Sequence, residues 1–399
     1  MRILGMMSGT SIDAIDTALV DIERDREDPE LLHARLLAAE EHDWPEDLRR
    51  QLLAVLPPAD SDVGTWTRLH TRVGLEHGRV ARAVLAEHGG ADLVVSHGQT
   101  LFHWVEGGTA RGTLQIGDPA RIHAATGVPV LSDLRAADIA RGGQGAPLAP
   151  ILDQLALGEE PTAALNLGGI ANVTLVGTAD GEVRAGDIGP ANALIDAACL
   201  AATDGRESCD RDGRLARAGR VDARVLDALL EDPFFALPLP RSTGREHFDA
   251  GYVDRHVPDH GLDLPDLVAT LTELTAVTVA RTIAGSGVQR VIGSGGGMRN
   301  PALRERLTAH LDPLPLADAG AVGLPGDAKE ALLMALIGWL TAHDLPGTVR
   351  RTDGSALTGA DHPVVLGSLT PPVPIRLPDD PSTAPVQRLR LTLDPQETP

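Results

Sequence analysis

Each half of this 399-residue chain opens with the same device, two apolar runs joined by a glycine turn. Residues 3–7 lead into Ser8-Gly9-Thr10-Ser11 and out through residues 15–22. Residues 163–167 lead into Gly168-Gly169 and out through residues 170–176. Apolar runs of this length, bounded by glycine and hydroxyl residues, predict β-hairpins. No residue-level repeat accompanies them, so the duplication is one of architecture. After the first hairpin, a third strand is expected over 31–39, and Leu69, Val73, Val80, Val84 and Leu85 mark the buried face of a helix over 65–88. Strands follow at 93–96 and 128–131, with a helix near 120–126. The second half predicts a helix over 191–201 and another through Leu267, Leu271, Leu274 and Val277. A strand at 291–292 runs into Gly293-Ser294-Gly295-Gly296-Gly297, and helices are expected from about 300 and over 327–342. Two halves of this kind predict a duplicated α/β fold. The stretch Arg141-Gly142-Gly143-Gln144-Gly145-Ala146-Pro147 reads as the crossing between them. It divides the chain into domains 1–145 and 146–399, with its glycines as a hinge. Residues 376–399, rich in proline and charge, are expected to form an extended edge and a loose tail.

Charge narrows the partners. The formal net charge of -21 opposes approach to nucleic acid or an anionic membrane. A phosphorylated small molecule stays admissible, because backbone amides and a local arginine can hold phosphate inside an acidic protein. Lys329 is the only lysine, which excludes chemistry that needs two. Cys199 and Cys209 have the spacing of neither a redox pair nor a zinc site, so a reducing, cytoplasmic setting is expected. The longest apolar run, residues 331–340, is far short of a membrane span.

The glycine turns fit none of the common phosphate or nucleophile motifs. A P-loop needs lysine after its last glycine, and Lys329 lacks that spacing. A dinucleotide fingerprint at Gly293 fails at Met298, and no serine sits in a nucleophile elbow. A plain turn would account for Gly9-Thr10-Ser11 alone; its counterpart in the other half favours amides and hydroxyls offered to phosphate from both sides of a cleft. Asp187, in Gly186-Asp187-Ile188-Gly189-Pro190, reads either as a helix cap or as a carboxylate at a cleft floor. Metal readings fail: His256 and His260 are separated by Pro258, and the loop around Asp210-Arg211-Asp212-Gly213 lacks the ligands calcium requires. His97 and His103 have no third ligand, and the segment Gly98-Gln99-Thr100 between them suits polar substrate contacts.

Collinear segments along almost the whole chain resemble the anhydro-N-acetylmuramic acid kinase family. The run from Gly5 through Ser8-Gly9-Thr10-Ser11-Ile12-Asp13-Ala14-Ile15-Asp16 is similar to its N-terminal signature. So are Ser96-His97-Gly98-Gln99-Thr100, Gln115-Ile116-Gly117-Asp118, Asp133-Leu134-Arg135-Ala136-Ala137-Asp138 and Ser242-Thr243-Gly244-Arg245-Glu246. Residues 142–150, 166–174, 187–192, 295–300, 326–332 and 357–360 continue the likeness. Three departures stand out: Ala14 replaces a usual glycine, Ile188 a threonine and Arg241 a lysine. The resemblance implies the two-domain actin/hexokinase/Hsp70-like fold, of duplicated ribonuclease H-like type. It implies an ATP- and Mg2+-dependent enzyme that converts 1,6-anhydro-N-acetylmuramic acid to N-acetylmuramic acid 6-phosphate in peptidoglycan recycling. By the same resemblance Asp187 is the catalytic base. Gly9, Thr10, Ser11, Ile12, Asp13, Ala14, Ile15 and Asp16 cradle the ATP phosphates, with Asn166, Gly168 and Gly169 opposite. Gly295, Gly296, Gly297 and Asn300 lie against adenosine; His97, Gln99, Arg135 and Glu330 contact the sugar. Two alternatives share the fold: a sugar kinase acting on a free hydroxyl, and a non-catalytic ATP-dependent switch. No protein ligand to a metal is singled out, and a homodimer is left open.

Overall fold

A computed structural model describes residues 1–203, 205–244, 246–324, 326, 328–372 and 384–393. The chain divides into two units, Met1–Ala156 together with the chain from Ala328 onward, and Leu157–Asp327.

The first unit is built on β1 (Arg2–Ser8), β2 (Ala14–Arg24), β3 (Leu31–Asp43), β4 (Leu93–Glu106), β5 (Thr109–Ile116) and β6 (Val130–Ser132). The second carries β7 (Thr162–Leu167), β8 (Ile170–Val176), β9 (Arg184–Pro190), β10 (Arg290–Ser294) and β11 (Leu316–Asp318). Two late strands, β12 (Ser368–Thr370) and β13 (Arg388–Leu393), return to the first sheet. In that sheet β1, β2 and β3 are antiparallel neighbours, and β4 and then β6 continue from β1 in parallel. In the second, β7, β8 and β9 are antiparallel neighbours, and β10 and then β11 continue from β7 in parallel. The order β3-β2-β1-β4-β6 in the first sheet, with β5 off that path, matches β9-β8-β7-β10-β11 in the second; this is the duplication the paired hairpins predict, of the ribonuclease H-like type the resemblance implies.

Burial explains why each hairpin strand reads as an apolar run. In β1 both faces are covered, so alternation is lost. Helix α1 (Val63–His88) covers one side with Leu69, Val73, Val80 and Val84, on the face its periodicity predicts; Leu85 is only half-buried. It packs on α2 (Pro119–Thr126). In the second unit α3 (Ala193–Ala202) packs on α4 (Leu264–Ile283), and α4 and α5 (Pro301–Leu311) cover the sheet.

The boundary differs from the expected 1–145 and 146–399. Helix α6 (Lys329–Ala342), buried at every position from Ala331 to Leu340, packs on β1, β2 and β4. β12 pairs with β6 and β13 with β3, so the last segment completes the first sheet rather than the second. Within residues 376–399, β13 is the expected edge; residues 376–383 and 394–399 lie outside the described residues.

The glycine stretch at 141–147 also proves different. It lies inside the first unit, and the chain crosses at 156–157 and 327–328 instead. The fully buried Asp138 carboxylate accepts from Gly145 N–H at 2.7 Å and from the Thr358 hydroxyl at 2.6 Å. Gln144 N–H donates to Thr358 O at 2.9 Å. A Cβ on Gly143 would stand 2.2 Å from Asp138 Oδ2, so glycine is required there by packing rather than by a hinge. Asp138→Ala strips both donors of their buried acceptor and is expected to destabilise the protein by about 2–4 kcal/mol. Urea unfolding checks this; a midpoint equal to the parent's would refute it.

Candidate active site

The first turn hangs on β4. Gln99, fully buried, donates its amide to Gly9 O and Thr100 O, both at 3.1 Å, and accepts from Ser8 Oγ at 2.8 Å. Trp44 Nε1 donates to the same Ser8 oxygen. Every amide group of Gln99 that was expected to meet sugar is thus engaged in holding the turn. Ile12 N–H closes the turn on Gly9 O at 3.1 Å, with Ile12 at φ +55°. A β-branched residue in the left-handed region is strained, and such strain collects at functional sites. Ile12, Ala14 and Ile15 point into the core, so among residues 9–16 only Gly9, Thr10, Ser11, Asp13 and Asp16 are not buried.

Next to Gln99 on β4, His97 is buried and its Nε2 accepts from Arg135 Nη2 at 3.1 Å and Nε at 3.3 Å. Burial, then the charge of Arg135 and the neighbouring His77, push the His97 imidazole down to about 3. The neutral ring accepting at Nε2 therefore carries its proton on Nδ1. Arg135 also donates to Gly145 O at 2.6 Å, which leaves two of its five N–H groups. Protein atoms crowding Glu330 lift its carboxyl above the usual range, against Arg135 and Lys329, although its side chain stays open to solvent.

In the second unit two segments converge on the turn between β7 and β8. Asn192 Nδ2 donates to Gly168 O at 2.8 Å and Leu167 O at 3.3 Å. Gly295 lies so close that a Cβ would meet Asn166 Oδ1 at 2.6 Å, and its φ is +85°. Gly297 abuts Leu167 in the same way. The contrast lies at Gly9, Gly168 and Gly296, where φ is not positive and a Cβ would meet nothing closer than 3.6 Å. The fold does not require glycine at these three turn positions; an unobstructed approach of another molecule to the backbone would.

Asn300 caps α5, accepting from Ala302 N–H at 3.0 Å and Leu303 N–H at 3.3 Å. Its side chain is thus occupied by the helix rather than free for a ligand. Beside it opens a cavity of about 770 Å³ lined by Arg206, Arg211, Arg214 and Arg217, with Glu207 and Asp212. Four arginines within twelve residues mark this loop in the sequence of an otherwise acidic chain.

Asp187 lies in β9 and is no helix cap. Its Oδ2 accepts from Thr243 N–H at 2.9 Å and Ser242 Oγ at 3.2 Å; among the described residues none donates to Oδ1. Burial pushes this half-buried carboxyl above the usual aspartate range. The Thr243 and Ser242 bonds and Arg241 pull it back, and Glu246 pushes it further up. Arg241 ties the strand to that segment. It donates to Asp187 O at 2.8 Å, Ile188 O at 3.2 Å, Leu237 O at 2.6 Å, Phe235 O at 3.0 Å and Thr282 Oγ1 at 3.0 Å. A lysine, with three donors, could not make all these bonds.

A half-buried carboxylate raised by burial, and glycine turns whose glycines the fold does not require, are features that a phosphotransferase with a general base would carry. The sequence profile of anhydro-N-acetylmuramic acid kinase matches residues 1–372. The anhydro-N-acetylmuramic acid kinase of Streptomyces coelicolor is 48% identical over 99% of this chain and 100% of its own length. That of Rhodococcus erythropolis is 45% identical over 93% of this chain and 94% of its own. The chain belongs to the anhydro-N-acetylmuramic acid kinase family. Family membership makes it an enzyme, a sugar kinase. Among solved structures, xylulose kinase from Rhodospirillum rubrum is similar at 14% identity and TM-score 0.41, over 85% of this chain and 90% of that one. Among the described residues, no helix is long and apolar enough to cross a membrane.

Proposed function

We propose that this enzyme opens 1,6-anhydro-N-acetylmuramic acid with water and phosphorylates O6, giving N-acetylmuramic acid 6-phosphate, with Asp187 as general base. The observation that carries the reading is the Asp187 carboxylate itself, tied at Oδ2, free of described donors at Oδ1 and raised by burial. Asp187 takes a proton from water as the water oxygen bonds to the anomeric carbon. The bond from that carbon to O6 breaks, and O6 receives the phosphoryl group. ATP supplies that group, and Mg2+ would neutralise its charge. Thr10, Ser11 and the exposed Asp13, whose Oδ1 lies 3.4 Å from Arg49 Nη2, carry oxygen donors of the kind this hard cation takes.

Gly9, Gly168 and Gly296 leave their backbone open to the phosphates and nucleoside, and Gln99 acts through the turn it holds. Arg135, through its two remaining N–H groups, pairs the lactyl carboxylate, with His97 setting its plane. Positioning and charge neutralisation, rather than covalent chemistry on the protein, supply most of the rate. The free thiols of Cys199 and Cys209 suit a cytoplasmic location.

The deciding experiment is turnover in oxygen-18 water with mass spectrometry of the product. Label at the anomeric hydroxyl, from the anhydro sugar, is expected. Unlabelled product, or faster turnover of a free hexose, would overturn the reading. A second test concerns the first turn. Gly9→Val should lower nucleotide affinity with an unchanged circular dichroism spectrum, because the fold has room for a Cβ there. Unaltered affinity would remove Gly9 from the phosphate site.

A further inference from the structure

The segment that holds Asp187 is itself held from behind. Thr243, whose N–H donates to Asp187 Oδ2, has its Oγ1 3.3 Å from His247 Nδ1. His247 Nε2 lies 2.9 Å from Asp232 Oδ2. Asp232 has a side chain only 4% exposed and also accepts from Phe234 N–H at 2.8 Å and the Tyr252 hydroxyl at 3.0 Å. Burial raises the Asp232 carboxyl, yet these bonds, with that from His247, outweigh it and hold the group below its usual range.

An ionised Asp232 fixes the His247 proton on Nε2, so Nδ1 accepts from the Thr243 hydroxyl. The ring cannot turn easily. It stacks on buried Phe248 with centroids 4.4 Å apart and planes 5° apart, and meets Phe234 edge-on at 5.8 Å. Two aromatic faces and two hydrogen bonds thus define one orientation of the imidazole, and through it one position of residue 243.

We propose that Asp232 and His247 are positioning residues for the base: the chain Asp232–His247–Thr243 fixes the backbone N–H that holds Asp187 Oδ2 and so aims Oδ1 at the water. The proposal rests on the reading of Asp187 as base. It places a residue pair in the catalytic apparatus that touches no substrate. A residue that only stabilises the fold would lower Tm or yield; one that sets the base must also change the pH at which the base titrates.

The acid limb of kcat/KM against pH reports that titration. Arg241 and Glu246 are the charged groups that influence Asp187 in this segment; Asp232 and Tyr252 face the imidazole, His256 Nε2 lies 3.5 Å from Asp232 Oδ2, and Arg255 donates to the His247 carbonyl. All remain in the variants below. Removing His247 frees residue 243, weakens the N–H bond to the carboxylate and leaves burial to raise the base. His247→Ala and Thr243→Val are each expected to move the acid limb up by about one pH unit and to lower kcat about tenfold, with little change in sugar KM. Thr243→Ser, which keeps the hydroxyl, should hold the limb where the parent has it. His247 is 37% exposed, so its truncation is compatible with folding, and Thr243→Val tests the same bond from the other side. A limb unmoved in both variants, with Asp187→Asn inactive, would overturn the positioning role alone. An active Asp187→Asn enzyme with its acid limb intact would overturn the base and this inference together.

Discussion

Asp187→Asn is expected to abolish turnover while nucleotide binding persists. The amide keeps the shape of the carboxylate but cannot accept the proton of the attacking water. A general base contributes roughly 10²–10⁴-fold, and here the same step also cleaves the anomeric carbon–oxygen bond, so the upper end applies. The environment supports this. Burial lifts the carboxyl above the ordinary aspartate range, toward working pH, and the bonds from Thr243 and Ser242 act against that rise. The sign follows: activity needs the ionised form, so kcat/KM falls as pH drops through a pKa above the ordinary aspartate value. Steady-state rates of the Asn variant, with calorimetric titration of ATP, test both halves. Retention of more than a few per cent of parent activity would place the base elsewhere.

What the sequence disclosed divides by range. The two hairpins were legible because a strand, a glycine turn and a strand are written within about twenty residues, and their recurrence pointed to the doubled topology that β1–β6 and β7–β11 display. The unit boundary was not legible. Whether residues 328–393 belong to the first or second sheet is decided by the pairing of β12 with β6 and β13 with β3, contacts across hundreds of residues. Glycines 142–145 imitate a hinge, but their partners Asp138 and Thr358 fix them inside one unit. Asp187 had two readings because its donors, Ser242 and Thr243, lie 55 and 56 residues on. Asn300 is the opposite case. Asparagine followed by Pro301 is a local helix-start signal, and the cap it makes is independent of the glycines before it. Gln99 misled by type, since a polar residue in a motif can serve the turn beside it rather than a ligand.

Gly5→Ala is expected to destabilise the first unit by at least about 3 kcal/mol, at or beyond the upper end of ordinary overpacking. Gly5 pairs with Ala18 on β2 and Val95 on β4, so it sits at the centre of the sheet. A Cβ there would stand 2.0 Å from Ala331 O and 2.7 Å from Ala335 N. Both are backbone atoms of α6, so no rotamer change relieves the clash; the helix must move. Movement is opposed because α6 is apolar on every side and buried along its middle, with Gly338 fitted against Val95 by the same close approach. The strain would also reach the chemistry. Glu330 precedes Ala331 on α6, and β1 leads directly into Ser8 and the first turn. Shifting either element displaces Glu330 or the first turn, which on the proposed reading face sugar and phosphate, so surviving enzyme should show raised KM for both substrates. Gly90→Ala is the internal control: a Cβ there meets nothing within 4 Å and φ is not positive, so its unfolding midpoint should match or slightly exceed the parent's. Urea unfolding of the two variants side by side measures the difference. Equal midpoints would mean that α6 can lift from β1, and that the glycine at the start of the family signature is not there for packing.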